Sequence, residues 1–369
     1  MRIGLDISPL VPHRAGIGNY VAHLLTALVR DAPEHEYFLY APHSLTLEDA
    51  AAFKYPHVRL VQCHKGLMGW HASRDRVDLF HGLSFKLSGW GRYGGLVTIY
   101  DLAMDRLPQR SRKLFGQRWS FLRTRRTARR ATRVVTISNH SASDIVELYG
   151  VPRERIAIVT PAVGPEFHSV KNGDIIQSTL SRYAIRRSRF ILAGGGAEPR
   201  KNVRGLIQAF AHARELRESC HLVVVGGMGR GGEEIQEAVR VGQLESAVIF
   251  PGHVPFEDLR ALYSACAVFV FPSLYEGFGM PVLEAMACGA PVVSSNTSSL
   301  PEVAGDAALL VDPMDLDAMA DAMTRVVQDR DLSADLRRRG AIRAKEFSWE
   351  RSARDLLKVY RDLVPGAAA

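Results

Sequence analysis

Along the whole of this 369-residue chain, short apolar runs rich in β-branched residues alternate with stretches of helical spacing. The runs lie at 3–7, 37–40, 58–62, 77–80, 96–99, 134–137 and 156–159, and again at 190–193, 222–225, 248–250, 267–271, 291–294 and 308–311. Strands that are apolar at consecutive positions need cover on both faces. Alternation with helices supplies that cover through right-handed crossovers between parallel strands. Between the two series, 164–188 holds Gly164-Pro165, Asn172-Gly173 and scattered charge, and reads as a linker. The pattern predicts two doubly wound α/β domains, residues 1–165 and 188–349, with a helical end. In such sheets ligands sit at the carboxyl ends of the strands. Two of them face to face would put the chemistry in a cleft, on loops that follow strands.

Composition narrows the class. Hydrophobic residues make up 47% and charged residues 23%, ordinary for a globular protein and unlike a disordered, collagenous or coiled-coil chain. No uninterrupted apolar run approaches the ~18–20 residues that span a bilayer. Asp6 interrupts the region where a signal peptide needs its apolar core, so the start reads as a strand of a cytoplasmic protein. Cys63, Cys220, Cys266 and Cys288 form no C-x-x-C pair, which favours reduced thiols over a zinc site.

The densest chemical signal runs from Phe271 to Val293, FPSLYEGFGMPVLEAMACGAPVV. An apolar strand stops at Pro272. The loop after it carries Glu276, Gly277, Phe278 and Gly279, and Pro281 suits the first turn of a helix that places Glu284 about one turn in. Backbone N–H groups at such a helix start bind anions and hydroxyl oxygens, and carboxylates accept hydrogen bonds from polyol hydroxyls. The combination suits a ligand with both phosphate and sugar. A tight turn followed by a solvated Glu284 is the plainer account of the same residues.

A second segment, Gly194-Gly195-Gly196-Ala197-Glu198-Pro199-Arg200-Lys201-Asn202, also follows a strand and precedes a helix. Arg200 can chelate phosphate oxygens, whereas Lys201 acts as a point charge. A departing diphosphate gains charge as the bond to it breaks and needs such a clamp. The glycines lack the spacing of a dinucleotide-binding loop. No Asp-x-Asp metal pair stands out at a strand end, so no metal is expected and the two cations carry its charge role.

Glu276-x7-Glu284 within EGFGMPVLEAMACG closely resembles the donor-site motif of retaining glycosyltransferase family 4, the group 1 glycosyltransferases with the GT-B fold. The resemblance implies a nucleotide-sugar donor held mainly by the second domain, as a substrate and not a cofactor. It implies that Arg200 and Lys201 bind the diphosphate, Glu276 the transferred sugar and Glu284 the ribose. Gly277, Phe278 and Gly279 would then offer amides to sugar and diphosphate. Gly226, in a glycine turn after a strand, would lie beside the donor, and His253-Val254 resembles the segment against the nucleobase. His253 alone reads equally as a structural histidine. Gly16 and Gly18 resemble the family's glycine loop after the first strand, although plain turn chemistry before a helix explains them too. The resemblance also implies that the final helix, 350–369 with Tyr360, packs back on the first domain together with Trp349.

Tyr100-Asp101 stands where many family members carry His-Asp. A tyrosine donates one hydrogen bond but cannot carry a proton near neutrality as imidazole does. Tyr100, Asp101, His81 and His140, all just after strands, are the acceptor-side expectations. The stretch 106–133 is rich in Arg and has no acid, with Leu107, Trp119 and Phe121 interleaved. It suits a peripheral surface against anionic lipid, each basic residue contributing ~1 kcal/mol. A nucleic-acid patch or a solvated helix face has the same footprint, but the enzyme reading expects no nucleic acid.

The first-domain pattern Gly-Ile-Gly-x-Tyr, with a later x-Asp-Leu, looks most like bacterial mannosyltransferases of polysaccharide assembly. GDP-mannose is therefore the first expectation for the donor and a glycan or lipid-linked saccharide for the acceptor. The rival readings are an epimerase on the same architecture and an arginine-rich adaptor for membrane or nucleic acid.

Overall fold

The structure, a computed structural model, describes residues 1–11, 16–107, 114–187, 189–229 and 231–366, with the backbone alone for 114–120. The chain divides into two compact units, Met1–Pro161 with Phe347–Ala369, and Ala162–Glu346.

The first unit is built on seven parallel strands: β1 (Arg2–Asp6), β2 (Glu36–Ala41), β3 (Val58–Gln62), β4 (Leu79–Gly82), β5 (Gly95–Thr98), β6 (Arg133–Thr136) and β7 (Ile156–Ile158). They lie in the order β3-β2-β1-β4-β5-β6-β7. Reversal of strand order beside β1 is the mark of a doubly wound sheet. The helix Ile17–Asp31 lays Tyr20, Val21, Leu24, Leu25 and Leu28 against the core. The last helix, Trp349–Arg361, packs on it and buries Trp349, Leu356, Leu357 and Tyr360. Trp349 stacks on His23 with ring centroids 5.3 Å apart, and Arg30 pairs with Glu350 at 2.8 Å.

The second unit has six parallel strands: β8 (Arg189–Gly194), β9 (Cys220–Val225), β10 (Val248–Gly252), β11 (Val268–Phe271), β12 (Val292–Ser295) and β13 (Ala308–Val311). Their order is β10-β9-β8-β11-β12-β13. Burial is nearly continuous along β9, β11 and β12, as strands covered on both faces require. All thirteen apolar runs read from the sequence are strands, each displaced by two residues or fewer at either end.

The stretch 164–188 is not a loose linker. It contains the helix Gly173–Arg182, capped by Asn172, whose side chain accepts from the Asp174 amide at 2.9 Å. Asp258 on the helix Phe256–Ala265 fixes it, accepting from Arg182 at 2.5 Å and Tyr183 at 2.7 Å. The four cysteines are free and buried. Among the described residues no helix is long and apolar enough to cross a membrane.

Candidate active site

β8 and β11 are neighbours in the second sheet, so the loops leaving their carboxyl ends start side by side. The turn Pro199–Lys201 follows β8, and 272–279 follows β11. Backbone bonds tie the two together: the Leu274 amide donates to the Arg200 carbonyl at 2.8 Å, and the Ser273 hydroxyl lies 3.0 Å from that same oxygen. Asn202 ends the turn in the left-handed region (φ 55°), its side-chain amide donating to the Pro313 carbonyl at 2.7 Å.

Arg200, Lys201 and Glu276 thereby form one cluster. Glu276 is 7% exposed. Its Oε1 accepts from Lys201 Nζ and from Ser273 Oγ, both at 2.7 Å, and its Oε2 from Arg200 Nη1 at 2.9 Å. Burial alone would raise the Glu276 pKa, but the charges of Lys201 and Arg200 and the bonds from Lys201 and Ser273 hold it below the usual carboxylate range. Arg200 also donates to Glu198 at 2.9 Å and to the Tyr275 carbonyl at 3.2 Å. Burial works against its charge, and Glu276 and Glu198 outweigh it, so its pKa is raised. Lys201 is 9% exposed, and its ammonium sits 4.9 Å from the centroid of the Phe271 ring. Within the trio one acid stands against two cations, while the exposed Glu198 offsets part of the Arg200 charge from outside, in a setting where an anion is strongly felt.

The glycines make room for this. Gly195 has φ 110°, and a Cβ there would stand 2.7 Å from Lys201 Cγ. Gly196 and Gly226, both at positive φ, let two strand exits touch, since a Cβ on Gly226 would meet the Gly196 nitrogen at 2.5 Å. Gly279 (φ 117°) starts the helix Met280–Ala287, which has proline in its first turn.

Glu284 lies on that helix, half-buried, and accepts from Tyr263 Oη at 3.4 Å. Burial pushes its pKa up to about 7; the Tyr263 bond opposes the shift, Glu166 adds to it and Lys201 opposes it. The two glutamates thus differ: Glu276 is locked as an anion and Glu284 changes charge near neutrality.

Three further residues brace the loop and escaped the sequence reading. Ser298 Oγ accepts from the Glu276 amide at 3.0 Å. Ser299 donates from a position 2.9 Å from the Glu276 carbonyl and 2.7 Å from that of Phe278. Ser273 is fully buried. Ser298 and Ser299 follow β12, so the rule that chemistry follows strand ends pointed to their loop, although nothing in their residue type did.

The remaining expected residues sit as follows. His253 is exposed and Val254 buried after β10. Gly16 opens the helix Ile17–Asp31 and Gly18 is buried within it; Arg14 and Ala15 of that loop lie outside the described residues. Asp101 accepts from the Ala103 amide at 3.0 Å, and His140 Nε2 stands 3.6 Å from Asp144.

Two acceptor-side candidates are taken up inside the first unit. His81 is fully buried, with Nδ1 2.7 Å from Tyr360 Oη and Nε2 2.9 Å from Thr98 Oγ1. Burial pushes its pKa down to about 3, so it is a neutral strut between β4, β5 and the last helix. Tyr100 is buried between Tyr20 and Phe85, and its hydroxyl donates to the Leu83 carbonyl at 2.8 Å.

The basic stretch is also partly spent inside the fold. Arg106 donates to Asp144 at 2.6 Å and to Glu147, and Arg129 to the Tyr149 carbonyl at 2.7 Å. Arg123, Arg126 and Arg130 are exposed on the helix Leu114–Arg130. Arg110, Arg112 and Lys113 lie outside the described residues, as does the Arg118 side chain.

Comparison with known proteins agrees with this architecture. The family described as Glycosyltransferase Family 4 matches residues 14–167, and the family described as Glycosyl transferases group 1 matches 182–343. O-antigen chain mannosyltransferase B of Escherichia coli is 34% identical over 300 residues, covering 81% of this chain and 78% of that protein. Sucrose-phosphate synthase from Thermosynechococcus elongatus superposes with a TM-score of 0.76 at 22% identity, covering 98% of each chain. Anabaena HepE in complex with UDP-glucose gives 0.74 at 16%, covering 98% of this chain and 100% of that one. The two parallel-sheet units have the GT-B fold, and the chain belongs to glycosyltransferase family 4, the group 1 glycosyltransferases. It is a glycosyltransferase.

Proposed function

We propose that this enzyme transfers mannose, with retention of configuration, from GDP-mannose to a glycan or lipid-linked saccharide in bacterial polysaccharide assembly. The observation that carries the site assignment is the trio of half-buried Arg200 with buried Lys201 and Glu276 at the carboxyl ends of β8 and β11. The likeness to an O-antigen mannosyltransferase supports the choice of sugar and pathway class.

In this reading Arg200 and Lys201 take the donor diphosphate and meet the charge that grows on it as the glycosidic bond breaks. Glu276, held as an anion, accepts from sugar hydroxyls, and Glu284 accepts from the ribose. The amides of 277–279 and the helix start at Met280 complete the anion cradle. The glycosidic bond breaks, the acceptor oxygen bonds to the anomeric carbon from the same face, and the departing phosphate takes the acceptor proton. No resident cofactor or metal is used, because the two cations supply the charge. The exposed arginines of Leu114–Arg130 support a peripheral seat on an anionic membrane face in the cytoplasm.

The test is transfer from GDP-mannose and, separately, UDP-glucose to lipid-linked saccharide extracts, read by mass spectrometry. The product should gain one mannose, with its anomeric configuration retained by NMR. A gain of glucose alone would overturn the donor, and an inverted product the stereochemistry.

A further inference from the structure

The amino-terminal edge of the second sheet, opposite the edge that carries the trio, holds a cavity of about 310 Å³. It lies ahead of β8 and β11, against the end of the helix Leu316–Gln328 and the start of the helix Arg330–Lys345. Arg189, Arg330, Arg337 and Ser333 line it, with Val326 and Val327 forming an apolar wall, and no acid is among its described lining. We propose that this cavity is a second anion site, which binds a phosphate group, free or carried on a small ester.

The arginines are aimed rather than scattered. Arg189 Nη1 donates to the Val327 carbonyl at 3.2 Å. Arg337 donates to the Cys266 carbonyl at 2.9 Å and to that of Gly289. Both are held by neutral oxygens, so their charge is uncancelled, and each keeps further N–H groups for a ligand. Arg330 is exposed and makes no ion pair with any described residue. Of the two acids flanking Arg330, Asp329 is taken up by the amides of Asp331 and Leu332, both at 3.0 Å, and Asp331 is exposed in the first turn of the helix and not part of the cavity lining. Burial pushes the Cys266 thiol up to about 12, so it brings no charge. Guanidinium forks match phosphate oxygens pairwise, and Ser333 adds one hydroxyl donor. The volume is at the lower limit of small-molecule sites, roughly 300–1,000 Å³, and suits a phosphate or small phosphate ester rather than a nucleotide sugar.

The test is calorimetric titration of the full chain with inorganic phosphate and with glucose 6-phosphate, at fixed ionic strength. The proteins are the wild type, Arg189→Gln/Arg330→Gln, Arg330→Gln alone and Lys201→Ala. Saturable binding that persists in Lys201→Ala and weakens at least tenfold in the double variant is expected. Tighter binding of the first probe would identify a free anion as the ligand, and of the second an ester. Arg330→Gln disturbs no side-chain hydrogen bond or ion pair among the described residues, so a weakening there keeps the test decisive should the double variant melt early. Binding of neither probe, or binding lost in Lys201→Ala and kept in the double variant, overturns the proposal.

Discussion

Removing Lys201 alone is the sharpest perturbation of the trio. In Lys201→Ala, Glu276 keeps Arg200 at 2.9 Å and Ser273 at 2.7 Å, so its carboxylate is not orphaned. The stability loss should then be that of one charged hydrogen bond, about 1.5–3 kcal/mol, and the protein should remain folded at 25 °C. The net charge of the trio falls from plus one to zero. A diphosphate leaving group loses a preorganised cation in a site largely closed to water, which typically raises the barrier by about 2.7–4 kcal/mol. At about 1.4 kcal/mol per factor of ten, transfer should slow roughly 100- to 1,000-fold. Initial rates at saturating donor, with a melting curve on the same sample, measure both quantities. A folded variant that transfers within threefold of the wild-type rate refutes the assignment of Lys201.

Glu284 titrates near neutrality, so nucleoside diphosphate binding should weaken between pH 8 and pH 6 as its carboxylate is protonated. In Glu284→Gln that part of the profile should be absent, calorimetry at each pH being the check. The same group gives a stability slope: its folded pKa of about 7 lies above the ordinary carboxylate value. Its contribution is therefore full at low pH and is lost as pH rises to about 7, and urea melts of the Gln variant should lack that loss. Ser273→Ala should cost about 1 kcal/mol of stability and lower kcat with little change in KM, because Glu276 Oε1 loses a 2.7 Å bond. His81→Ala should lower the melting temperature, through two lost buried partners, yet leave the pH–rate profile unshifted, since His81 holds no proton to give. A moved profile would return it to the chemistry.

The sheets were legible because period and composition repeat thirteen times, and a buried parallel strand leaves an unbroken apolar run. The pairing of Arg200 and Lys201 with Glu276 was half legible. Residue type and strand-end position marked the three, but nothing in sequence order shows that β8 and β11 are adjacent. That adjacency makes Glu276 the partner of both cations before any ligand arrives. Ser273, Ser298 and Ser299 went unread because a serine's role is set by the carbonyl or carboxylate it happens to face. The burial of His81 and Tyr100 went unread for a related reason. A polar residue after a strand signals a site only if its side chain reaches solvent, and here one packs against the last helix and the other between aromatic rings. The helix Gly173–Arg182 was missed because its apolar face is only Ile176, Thr179 and Leu180, and Asp258, more than seventy residues away, supplies the rest of its anchoring.

The central claim is that Arg200 and Lys201, set beside Glu276, hold the donor's diphosphate. Titration of GDP into the wild type and into Arg200→Gln/Lys201→Gln/Glu276→Gln, which leaves no buried carboxylate without a cation, measures this most directly. The account predicts saturable binding in the first and at least a hundredfold weaker binding in the second, with the helical content of both unchanged. Equal affinity in the two folded proteins would contradict it.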